Sequence, residues 1–307
     1  MKIKSVRNFI SKRKMLERAR HPFEIPLFIL STLISVAIYG ILFYATVYMK
    51  DKGMVIQWLN ESWPIGEDVA TIIVNFGKDI LIVVFGIIMV ITIWSYFRDI
   101  GSAAARDVHV SETQSAIVEE LFDNYSEEMG LLIEPSHCLC KELKTMEVFS
   151  VPIKNKYCVR IPAVYVFNAV DVKHDYSCVR FIIANELSHI ALSHRNLILL
   201  LLTFPAQLIP IFSAFFSRIM TYSADRLTAE IIGEEETIKG IIWDENNLDF
   251  AKFVLDFDDY QKKLFEKRSG ITKFAKIIEN LSSDKPIPEY RIKKIQSRKK
   301  KHNGQTR

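Results

Sequence analysis

The chain has 307 residues, of which 49% are hydrophobic and 25% charged, with a formal charge of +4. These figures allow one large domain or two small ones. They exclude a disordered chain, a collagen, a disulfide-dense secreted scaffold and a strongly basic nucleic-acid binder. The averages conceal three stretches without a single charge, at residues 25–49, 80–97 and 196–217.

A helix rises 1.5 Å per residue, so about 20 apolar residues cross a hydrocarbon core of roughly 30 Å. The first two stretches meet that length and predict a transmembrane hairpin over residues 25–97. The first is too long for a signal-peptide core, and no small-residue cleavage site follows it. A basic segment, residues 1–24, precedes it with Lys2, Lys4, Arg7, Lys12, Arg13, Lys14, Arg18 and Arg20. The loop between the stretches is mixed in charge, and Arg98 and Arg106 follow the second. Positive flanks stay cytoplasmic, which predicts that both the amino terminus and the main domain, 98–295, lie inside. Cys138, Cys140, Cys158 and Cys178 all fall in that domain. A reducing compartment keeps them as thiols, and their spacing with His137 matches no common zinc knuckle.

Along the domain, the apolar spacing predicts helices over 111–130, 176–194, 219–232 and 248–280. Residues 148–153, 157–162 and 164–167 are rich in β-branched and aromatic types and predict short strands. The stretch 282–288 breaks the pattern, and a basic tail, 296–307, closes the chain. The basic ends suit an anionic lipid surface, where each charge contributes about 1 kcal/mol. No aromatic platform accompanies them, so nucleic acid is not expected as a partner.

The chemistry-bearing stretch is Asn185-Glu186-Leu187-Ser188-His189. In an H-E-x-x-H helix, two histidines four residues apart share a face and grip one zinc, while the glutamate polarises its water. Here the glutamate and the second histidine are present, and Asn185 stands at the first. Asn185 through His194 is similar to HELSHIALSH. Downstream, Ser217-Arg218-Ile219-Met220-Thr221-Tyr222-Ser223-Ala224-Asp225 is similar to S-R-x-x-E-Y-x-A-D, with Thr221 at the glutamate, and Arg226, Leu227, Ala229 and Gly233 continue the pattern. Lys285-Pro286 through Arg291-Ile292 is similar to an H-P-x-x-x-x-R-I element, with lysine for histidine.

On these residues the chain resembles the HtpX-type membrane zinc metallopeptidases, relatives of the CAAX-prenyl endopeptidases. An asparagine-alanine-phenylalanine element is not recognisable around Phe149. The resemblance implies a mainly α fold with a small β-sheet (α+β, a zincin-like metallopeptidase domain) on the two-helix membrane hairpin. It implies Glu186 as the catalytic position and His189 as a metal ligand, with Asn185 and Thr221 at degenerate ligand positions. It also implies Asp225 and Arg218 as supporting residues, with Asp225 accepting from the Asn185 amide. An edge strand beside the motif helix would align an extended substrate, and Val164 and Val166 are the candidates for it.

If the two motif helices meet on one side, residues 196–217 must leave and return. Two full crossings need about 40 residues, and Pro205 and Pro210 interrupt the helix, so a re-entrant or surface-lying hairpin is expected. His194, about 140° around the helix from His189, is expected to face elsewhere.

A catalytic zinc needs three protein ligands and a water. An asparagine amide and a threonine hydroxyl are poor substitutes for imidazole and carboxylate. The expectation is therefore a pseudopeptidase in a bacterial-type inner membrane, without cofactor, whose partners are the lipid bilayer and peptide or membrane-protein segments. Two alternatives stand beside it. One is an active zinc metalloendopeptidase with unusual ligands. The other is a non-catalytic membrane interaction or assembly protein.

Overall fold

A computed structural model describes residues 2–47, 112–131, 136–140, 147–151, 156–162, 176–246 and 286–304, with isolated positions between them. The helices in chain order are α1 (Lys2–Ala19), α2 (Glu24–Val47), α3 (Glu112–Met129), α4 (Ser177–Ala191), α5 (Leu197–Gln207), α6 (Pro210–Ile231), α7 (Glu234–Asn246) and α8 (Pro288–Gly304). Three short strands, β1 (Ser136–Cys140), β2 (Glu147–Val151) and β3 (Lys156–Pro162), fall between α3 and α4.

Helix α4 is the axle of the domain. Every residue from Cys178 to Ile190 except Arg180 is buried, so it is covered on all sides, the polar Asn185, Glu186, Ser188 and His189 included. It packs against α3, α6 and α7. Its tightest approach is to α7, where Gly240 lies against the Phe181 side chain with no room for a Cβ. Gly233, at φ +93°, makes the turn from α6 into α7 that brings them side by side. Phe181, Ile183, Leu187, Leu227, Ile241 and Ile292 are among the largest fully buried side chains at this junction.

The expected α+β, zincin-like class is corrected: the domain is mainly α. Helices supply most of the site and most of the described core. Val159 and Ile161 of β3 enter that core. The strands otherwise pair with one another in the order β1-β3-β2, β3 running parallel to β1 and antiparallel to β2. The physical reason is that the described burial falls on α4, which packs against α3, α6 and α7. Within the expected strand 164–167, Val166 is helical and buried, and the other three residues lie outside the described ones.

One described helix is long and apolar enough to cross a membrane, over Glu24–Ile41 near the amino terminus, with mean hydropathy 1.9. Only 22% of that window is buried, whereas a core helix of the same composition would be mostly covered. Most of the second expected span, 80–97, and of the expected helix 248–280 lies outside the described residues. The uncharged stretch 196–217 forms α5 and the first two turns of α6, broken at Leu208 and Ile209, and both helices pack on α2.

Candidate functional site

The site forms where α4 crosses α6 and where α8 closes over both. Ala184 and Leu187 pin α4 inside the core, which leaves Asn185, Glu186 and His189 on the side facing α6 and the α4–α5 turn. Asn185 Nδ2 donates to Asp225 Oδ1 at 3.2 Å and lies 3.5 Å from Thr228 Oγ1. Ser188 joins the same seam, its hydroxyl 3.2 Å from Thr228 Oγ1. Asp225 is itself clamped by Arg291 from α8, whose Nε and Nη2 donate at 2.8 and 2.7 Å. A second carboxylate, Asp244 of α7, takes Arg291 Nη1 at 3.3 Å. The guanidinium lies over the Phe181 ring, 5.7 Å from its centroid. Burial works against the charge on Arg291, but Asp225 and Asp244 outweigh it and hold the group above its ordinary range.

The second half of the site lies at the carboxyl end of α4. His189 Nδ1 is 3.0 Å from His194 Nδ1, with the rings edge to face. This corrects the expectation that His194 faces elsewhere. The helix stops at Ala191, Ser193 adopts φ 63°, and the His194 amide donates back to the His189 carbonyl at 2.9 Å. Helical angles do not carry past a helix end.

His194 Nε2 in turn lies 3.3 Å from Glu24 Oε1, with both side chains 1% exposed. Burial pushes the His194 imidazole below its ordinary range, and Glu24 pulls it partly back. Glu24 also receives Arg20 and the Ser223 hydroxyl, so the first residue of α2 is tied to α6. Glu186 Oε2 lies 3.7 Å from Arg195. Thr221 directs its hydroxyl to the Ser217 carbonyl at 2.9 Å, and Arg218 is buried on the same helix.

The geometry thus gathers Asn185 and Asp225 into one cluster, and His189 into another with His194. Thr221 bonds to its own helix. Val164 lies outside the described residues, while Val166 is buried. Strand β3 has a neighbour on each side, so its described residues offer no open edge.

Arg291, Asp244, Glu24 and His194 escaped the sequence reading. Arg291 stood in the terminal R-I pair, and Glu24 was the lone charge at the head of an uncharged run. Both were visible signals.

The donor set does not suit zinc. Asn185 and Thr221 offer only neutral oxygens, and the Asn185 amide nitrogen and the Thr221 hydroxyl already donate within the protein. Among the described residues, no group of three or more His, Cys, Asp or Glu side chains could hold a metal ion. In comparisons with known proteins, no family model matches the chain and no curated protein matches it.

His21, beside this cluster, gives the pH dependence. Burial, with Arg226 and Lys294 nearby, pushes its imidazole from 6.5 down to about 4. The unfolded chain therefore takes up this proton first as pH falls. The stability it contributes is full above about 6.5 and is lost toward pH 4. Thermal unfolding in detergent should show a falling Tm across that window, and His21→Gln should flatten the slope. An equally steep slope in the variant would remove His21 as the source.

Proposed function

We propose that the chain is a membrane-anchored, HtpX-like metallopeptidase homologue that has exchanged its metal for a polar lock. In this reading it is a pseudopeptidase, binding peptide or membrane-protein segments without cutting them. The observation that carries the reading is the hydrogen bond from Asn185 to Asp225, with Arg291 closing the far side. The positions that would hold and support a zinc ion instead bond to each other. The helices keep their crossing, and the metal becomes unnecessary to it. Glu186, beside Arg195 and with no metal-bound water to deprotonate, then has no general-base role. An extended segment would add to the outer edge of β1 or β2, because β3 is flanked on both sides.

The basic flank before α2 supports a cytoplasmic amino terminus and domain, in a bacterial-type inner membrane. Basic residues of α1 and the carboxyl end of α8 would meet anionic headgroups there.

The test is metal content and casein cleavage by the purified full chain, beside an Asn185→His/Thr221→Glu variant. The unaltered chain should carry no stoichiometric zinc and leave casein intact, while the double variant should bind zinc. Chelator-sensitive proteolysis by the unaltered chain would overturn the reading in favour of an active enzyme. A double variant that still takes no metal would favour an assembly role unrelated to the cleft.

A further inference from the structure

The uncharged segment 196–217 carries a feature that its composition alone does not explain. Pro205 lies inside α5, has no N–H, and so cannot donate to the carbonyl of Leu201 four residues earlier. That carbonyl receives the Tyr39 hydroxyl of α2 at 3.3 Å. The next donor along, the Ala206 amide, bonds to Ser35 Oγ of α2 at 3.2 Å, and Ser35 is fully buried. Two side chains of the apolar helix thus satisfy the backbone groups around the proline. In water neither would be needed. In hydrocarbon each unsatisfied group costs several kcal/mol, and a broken helix survives only where a neighbour supplies the bonds.

The dimensions agree with this. Helix α5 has 11 residues, so it reaches about 16 Å, roughly half of a 30 Å core. Its charged neighbours, Arg195 before it and Arg218 on α6, stand at the two open ends of the hairpin. The tip, Leu208 and Ile209, is apolar and exposed at 43% and 40%. Ile198, Leu202 and Phe215 extend the same exposed apolar face beside α2.

We infer that residues 196–217 form a re-entrant hairpin that enters one leaflet to about the bilayer midplane and is locked to α2 by Tyr39 and Ser35. The occupant of its exposed face is the acyl chains of that leaflet. The inference rests on the reading that α2 crosses a bilayer. It adds that the histidine pair, whose His194 lies three residues before α5 begins, sits at the headgroup level of the same leaflet. A segment reaching that pair then comes from within the membrane plane.

The experiment uses the full chain in vesicles of phosphatidylcholine and phosphatidylglycerol, with an environment-sensitive fluorescent amino acid at Leu208 or, as a control, at Leu33. Nitroxide-labelled lipids quench at the headgroup, at mid-chain or near the chain end. The Leu208 probe should lose most fluorescence to the chain-end label, as should Leu33, and little to an aqueous quencher. In Tyr39→Phe/Ser35→Ala the Leu208 probe should move to the shallower labels, and an unchanged depth would overturn the locking role. Strongest quenching of Leu208 by the headgroup label or from water would overturn the hairpin. So would shielding from lipid and water alike, which would mean a second protein surface covers the tip. If Leu33 also escapes every lipid label, the membrane reading of α2 falls first, a failure distinct from that of the hairpin.

Discussion

Arg291→Ala is expected to be the most damaging single change at the site, costing about 3–5 kcal/mol, the usual loss when one partner of a buried ion pair is removed. The arginine is 3% exposed and Asp225 1%, so no water can replace the lost guanidinium. Asp225 would keep only the Asn185 amide of the partners described above, and Asp244 would lose its share of the guanidinium as well. Arg291→Lys should recover little, since one ammonium cannot span both Asp225 oxygens and Asp244. Asp225→Asn/Arg291→Met should cost clearly less than the sum of the single changes, because no charge is then stranded. Thermal unfolding followed by circular dichroism, in one detergent for all variants, measures each. A loss below about 1 kcal/mol for Arg291→Ala would place the pair outside the folded core.

Gly240→Ala should destabilise the fold whether or not the Phe181 ring is present. In the native chain the added methyl runs into Phe181, and overpacking of this kind costs about 1–3 kcal/mol. Phe181→Ala removes the ring but keeps the Cβ, which lies as close to the added methyl as the ring does, so Gly240→Ala should stay destabilising there and recover only part of its cost. Phe181→Ala itself should cost about 3–5 kcal/mol, because it empties the space beneath Arg291 and beside α7 together. A neutral or stabilising Gly240→Ala in the native chain would mean that α4 and α7 do not meet at this point.

What was legible in the sequence follows what was local. The pairing of α4 with α6 could be read because Asn185 and Asp225 lie in two stretches that each carry several matching letters. The break in 196–217 could be read because prolines mark it. The turn after Ala191 could not. No glycine or proline stands there, and Ser193 takes a positive φ that serine rarely adopts, so the run looked like uninterrupted helix through His194. One strand was misplaced and another missed for a related reason. β-branched residues at 164–167 suggested a strand where Val166 is helical, while Ser136–Cys140, the parallel partner of β3, has no strand-like composition. Arg291 required knowledge of a contact across 66 positions, which no local pattern contains.

The buried start of α2 bears on how the molecule divides. Glu24 is sealed beneath the domain with Arg20, Ser223 and His194, and Ala19 of α1 is fully buried in the main core. The two amino-terminal helices are therefore structural members of the domain rather than a leash to it. Clipping the chain after residue 47 would not release an intact domain. It would strip a wall from the histidine pair and leave His194 without its carboxylate.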